Sequence, residues 1–178
     1  MKKTIFFIGC LMCALTTFAQ QIRLDKLGTV AVPKQMTEAS RAQVNSFVQK
    51  KYNNKLPLDF MVNSASKVYF VDNILITVGY KQLPSSTNGQ DYLSNFKKVE
   101  DGAHSGYPSY SSRIETINGN KFIVCTRDSY PGRCIIINGL NESTLVRFDC
   151  SLQYASEDEA KAQSLVKEVL AGVKYKVQ

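Results

Sequence analysis

Asn118-Gly119 stands between two β-rich runs, residues 110–117 and 121–127. The dipeptide tolerates the positive φ angles of a two-residue hairpin turn, so the runs are predicted to fold back on each other. Residues 133–138 and 144–152 extend the pattern into a meander. Upstream, residues 67–71 and 74–81 flank Asp72-Asn73, a second expected hairpin, and residues 28–33 read as a short strand stopped by Pro33. A chain so committed to antiparallel pairing needs helices to cover the apolar face of its sheet.

Three segments have helical spacing. Residues 38–52 place Val44, Phe47, Val48 and Tyr52 on one face before Asn53-Asn54-Lys55 and Pro57 break the run. Residues 90–100 do the same with Tyr92, Leu93, Phe96 and Val99, and Gly102 is the expected stop. Ser156-Glu157-Asp158-Glu159 reads as a capping box. Behind it Ala162, Leu165, Val166, Val169, Leu170 and Val173 form one stripe, with Glu157, Lys161, Lys167 and Glu168 outside it. The expected fold is α+β: a single antiparallel, meander-rich sheet flanked by helices, with the C-terminal amphipathic helix packed on it.

The chain opens with Lys2-Lys3, an apolar run from Ile5 to Leu15, and small residues ending in Thr17-Phe18-Ala19, the form of a secretory signal peptide. The run falls short of the roughly 20 residues a spanning helix needs. Cleavage is expected after Ala19, leaving one domain, residues 20–178, periplasmic or secreted and without a transmembrane segment. Lipid attachment at Cys10 is the alternative, opposed by the short apolar stretch before it; Cys10-Leu11-Met12-Cys13 otherwise belongs to the leader. Removing two leader lysines takes the net charge from +7 to +5. Basic residues are scattered among acids rather than gathered on one run, which argues against nucleic acid as a partner.

The order of elements resembles the PsbP-like superfamily, which includes the PsbP, Mog and DcrB types. The residues that carry the likeness are Val68-Tyr69-Phe70-Val71, Ile74-Leu75-Ile76-Thr77-Val78, the hairpins pivoting on Asn118-Gly119, and Leu145-Val146-Arg147-Phe148 leading into the terminal helix. The resemblance covers roughly residues 28–177 and implies a non-catalytic adaptor or accessory fold. Many members carry a Trp shortly after the first-strand proline, whereas Lys34-Gln35-Met36 follows Pro33 here and the chain has no Trp. No metal-site or partner-binding residue carries over.

His104 is the only histidine, so any Ser-His-Asp or Cys-His system must use it. It lies between Gly102 and Gly106, in what reads as a surface loop. One histidine and scattered cysteines lack the spacing of a zinc site, and no cofactor is expected. Asp149, alternating with Arg147 against Val146 and Phe148, marks an expected solvent face, and Asn141-Glu142-Ser143 reads as a polar turn. Residues 101–113 form a long, glycine-rich connection in which His104, Tyr107, Tyr110 and Arg113 are candidate binding residues. The alternative there is a mobile link with Tyr110 turned into the sheet.

Cys125 and Cys134 flank a Tyr-Pro-Gly turn. A hairpin register with residue numbers summing to 259 sets them directly opposite, a sum of 261 diagonally, and a Cys125–Cys134 staple is expected with Cys150 reduced in the core. Three buried thiols are the alternative. The function expected is that of a non-catalytic binding or accessory domain of the cell envelope, with an envelope protein or small ligand as partner. A periplasmic enzyme using His104 or carboxylates from separated strands is the rival.

Overall fold

The computed structural model describes residues 20–52, 66–129 and 132–177. The expected leader, with Cys10 and Cys13, lies outside the described residues.

Among the described residues, ten strands and three α-helices follow in the order β1 (Gln20–Leu24), β2 (Gly28–Val32), β3 (Thr37–Glu38), α1 (Arg41–Tyr52), β4 (Lys67–Val71), β5 (Ile74–Gln82), α2 (Gly89–His104), β6 (Ser111–Ile117), β7 (Asn120–Ser129), β8 (Gly132–Asn141), β9 (Val146–Tyr154), α3 (Glu159–Gly172) and β10 (Val173–Tyr175). They form two sheets rather than the single one expected. The large sheet is β3-β4-β5-β9-β8-β7-β6, antiparallel at every pair, and the small one is β1-β2-β10. The second sheet is the β1–β2 hairpin, to which β10 adds a third strand. Val173 leaves α3 with extended backbone and pairs with Val30 instead of continuing the helix.

The two faces of the large sheet are covered differently. On the inner face Tyr69, Ile76, Val78, Phe122, Val124, Ile135, Ile137, Phe148, Cys150 and Leu152 pack with the α3 stripe Ala162, Leu165, Val166, Val169 and Leu170. Ile22, Leu24, Val30 and Val32 of the small sheet join this core. Helix α3 therefore touches both sheets, β2 on one side and β9 on the other. The Asn118-Gly119 tip, with φ of +52° and +79°, makes the expected hairpin turn. From it the Asn118 amide donates to the Ala171 carbonyl at 3.0 Å, satisfying one of the open acceptors at the end of α3.

On the outer face, α1 sits over β4 through Val44, Phe47, Val48, Val68 and Phe70, with the Phe47 and Phe70 rings 4.8 Å apart. Ser40 and Gln43 cap it reciprocally: the Ser40 amide donates to Gln43 Oε1 at 2.8 Å, and the Gln43 amide to Ser40 Oγ at 3.3 Å. The box expected at Ser156 does not form. Residues Ser156–Asp158 make a 3-10 turn without a side-chain cap, and the Glu159 carboxylate turns to the sheet, taking Arg133 at 2.8 Å and the Tyr154 hydroxyl at 2.9 Å. Two charge-assisted bonds from β8 and β9 outweigh one reach-back bond to a helix end.

Helix α2 covers β6, β7 and β8 on the outer face. It runs through Gly102 to His104, so the long connection expected from Asp101 shrinks to residues 105–110.

Cys125, Cys134 and Cys150 are buried thiols, and none of the three is in a disulfide. The β7–β8 register sums to 261, placing Cys125 opposite Ile136 and Cys134 opposite Arg127. That offset sets Asp128 opposite Arg133, where the two form an ion pair at 3.6 Å. The expected Cys125–Cys134 staple is thus not present: the two thiols share the outer face diagonally, a separation longer than a disulfide accepts. Cys150 lies on the inner face among the apolar core, as the alternation implies.

Candidate functional site at the end of helix α2

Position in α2 decides which side chains meet. Lys97, Asp101 and Glu100, His104 are i,i+4 pairs on the helix flank that overhangs β6 and β7. Ser112 and Cys125 are directly paired across β6 and β7 on the same face, and Arg127 is the next outward residue of β7.

Asp101 is the anchor. One carboxylate oxygen accepts from Lys97 Nζ at 2.5 Å; the other accepts from the Tyr110 hydroxyl at 2.8 Å and Ser112 Oγ at 2.5 Å. These three donors, Lys97 first, then Ser112 and Tyr110, hold its pKa down to about 2. The bonds tie the last turn of α2 to the loop and to the first strand behind it, which explains why Gly102 does not end the helix.

Beside this anchor, Arg127 lies between Glu100 and His104. Its guanidinium is 3.5 Å from the Glu100 carboxylate and donates to His104 Nε2. The imidazole therefore accepts through Nε2, and its ring stands 5.6 Å from Tyr110 and 6.2 Å from Tyr107. Burial, reinforced by Glu100, pushes the Cys125 thiol up to about 11, so it stays protonated at neutral pH and is a poor nucleophile. Burial likewise raises the Tyr110 phenol.

Of the four residues singled out in the sequence, the structure brings His104, Tyr107 and Tyr110 together. Arg113 is elsewhere: it pairs across from Val124 on the inner face of β6 and forms an ion pair with Glu115. The sequence reading missed Lys97, Glu100, Asp101, Ser112 and Arg127, which hold the cluster in place. Tyr107 is 63% exposed at its rim.

A second polar network lies beneath α2. Arg147 grips Asp149 through two bonds, at 2.5 and 2.9 Å, donates to the Tyr92 hydroxyl at 2.9 Å, and stacks 5.8 Å from the Phe96 ring. The pair expected on a solvent face is half-buried under the helix. Asn141 is buried too, donating to the Lys176 carbonyl at 3.0 Å while its oxygen accepts from Ser143. Among the described residues, no three His, Cys, Asp or Glu side chains gather as a metal cradle. Among them too, no helix is long and apolar enough to cross a membrane.

The depressed carboxyl has a consequence for stability. Protonating Asp101 removes an acceptor shared by three donors, so its contribution is complete above about pH 4, the carboxyl's unfolded value, and is lost as pH falls through about 2. Wild type is expected to be more stable than Asp101→Asn at pH 5, with the gap closing towards pH 2. Denaturant titrations of both proteins across that window check it, and a gap that persists undiminished at pH 2 contradicts it.

No protein-family model matches the chain, and no curated protein matches it. Among solved structures, a crystal structure from Bacteroides thetaiotaomicron is similar over 90% of this chain, with TM-score 0.56 and 11% identity. This chain spans half the length of that one. The solution structure of the cyanobacterial PsbP protein CyanoP from Synechocystis is similar over 92% of this chain and 96% of its own, with TM-score 0.49 and 10% identity. Identities this low speak to fold alone: the chain bears a distant likeness to known α+β structures without a shown family.

Proposed function

We propose that this chain is an exported, non-catalytic binding or accessory domain of the cell envelope, and that it meets its partner at the end of α2 through Tyr107, with His104 and Tyr110 behind it. The observation that carries this reading is an exposed tyrosine on a pinned support. The loop bearing Tyr107 is short, it follows a helix end held by the three bonds to Asp101, and its backbone is closed by the Tyr107 amide donating to the His104 carbonyl at 3.0 Å. Tyrosine is enriched among residues that dominate binding energy, and a support ordered in advance lowers the entropy lost on association. Engagement of His104 Nε2 by Arg127 favours a structural role for the imidazole over that of a general base. Arg113 faces the other side of β6 and belongs to a different surface.

Tyr107→Ala is expected to leave the thermal midpoint within about 2 °C, because exposed substitutions shift stability by no more than about 0.5 kcal/mol. The same variant is expected to lose the envelope partner retained by wild type in a matched pull-down. Retention of every co-purifying component by the folded variant removes this site.

A further inference from the structure

Strand β6 ends the large sheet: it pairs with β7 on one side, and among the described residues no strand lies on the other. Seven residues long, it offers a row of open backbone donors and acceptors, the usual template for adding another strand. Its sequence, Ser111-Ser112-Arg113-Ile114-Glu115-Thr116-Ile117, is arranged symmetrically about its centre. Arg113 and Glu115 flank Ile114 and share the inner face, while Ile114, 45% exposed, shares the outer face with Ser112 and Thr116.

We propose that the chain dimerises by pairing β6 antiparallel with β6 of a second copy, about a two-fold axis through Ile114. A two-fold perpendicular to the sheet keeps each residue on its own face, so opposed residue numbers must have an even sum. Three central registers are open. Centred on Arg113 it sets two guanidinium groups opposite each other; centred on Glu115, two carboxylates. Like charges directly opposed destabilise a strand pair. Centred on Ile114, Arg113 of each copy meets Glu115 of the other, twice, and the two exposed isoleucines cover one another. Charge thus selects one register and rejects its neighbours, and it deters strands that cannot answer both charges.

Helix α2 covers β6, β7 and β8 on the outer face, so the two-fold sets the α2 ends of the two copies on the same face, on either side of the joined β6 strands. The product is one continuous fourteen-stranded sheet with the two Tyr107 sites on the same face.

Sedimentation velocity on residues 20–178 over the micromolar to millimolar range is expected to show a monomer–dimer equilibrium. Arg113→Glu and Glu115→Arg, each alone, are expected to weaken it by about tenfold or more, and the two together to restore it. Circular dichroism confirms that each variant is folded. As a second readout, Ile114→Cys is expected to cross-link between copies under oxidation, because the position faces itself. Thr116→Cys, four residues out of register with its own copy, is not. A monomer at every concentration, dimerisation indifferent to single reversals, failure of the double exchange to restore it, or equal cross-linking at positions 114 and 116 each overturns the proposal.

Discussion

Leu165→Ala is expected to lower the unfolding free energy by about 2–5 kcal/mol. Leu165 is 1% exposed at the centre of the α3 stripe, inside the core cluster built from both sheets. Removing its terminal carbons forfeits the transfer free energy of buried methyl groups. It also leaves a cavity that α3, held against β2 and β9 together, is poorly placed to collapse. Urea titration reads the loss directly. A change within about 0.5 kcal/mol, the size of a surface effect, contradicts the placement of α3 in the core.

Gly172→Ala is expected to be as severe for the opposite reason. A Cβ at this position would lie 1.9 Å from the Ala31 carbonyl oxygen and 2.8 Å from its carbonyl carbon. Both are backbone atoms of the strand that α3 crosses as it turns into β10, so no side chain can move aside. Overpacking costs about 1–3 kcal/mol where neighbours yield, and a rigid backbone contact places this substitution at about 3 kcal/mol or more. Gly102→Ala is the internal control. No atom lies within 4 Å of a Cβ there, and alanine in a helix is favoured over glycine by about 1 kcal/mol. Equal effects at the two positions, measured by thermal and urea unfolding, contradict the close approach of α3 to the small sheet.

How far the sequence foretold this architecture follows from which signals were local. Asn118-Gly119 and Asp72-Asn73 adopt the turns their residue types favour, with φ of +52°, +79° and, at Asp72, +49°. The α3 stripe and the inward Cys150 followed from periodicity alone. The second sheet did not, because its evidence is non-local. Strand β10 is three residues that read as the tail of a helix, and Gln20–Leu24 gains its strand identity only by pairing with β2. Gly102 reads as a stop, but Asp101 beside it receives donors from β6 and the loop, and tertiary bonds outweigh a helix propensity worth about 1 kcal/mol. The hairpin register that forms sets Asp128 opposite Arg133 and leaves the two cysteines diagonal.

The candidate site was half legible. His104, Tyr107 and Tyr110 stood out as a lone histidine and two aromatics in a glycine-rich stretch, and the structure gathers them. Their support was hidden in ordinary-looking helix charges, although Lys97-Asp101 and Glu100-His104 both have the i,i+4 spacing that signals a shared flank. Nearness in sequence groups Arg113 with Tyr107. One step along a strand moves a side chain to the other face, and this is what separates them.

Site-directed photocross-linking tests the proposed recognition role of Tyr107 most directly. A benzophenone amino acid placed at position 107 of the full-length protein, expressed in its native host, is expected to give a discrete adduct upon irradiation. The same probe at Lys174, exposed on the small sheet away from α2, is expected to give none. Adducts that are absent at position 107, or that appear alike at 107 and 174, contradict a binding surface at the end of α2.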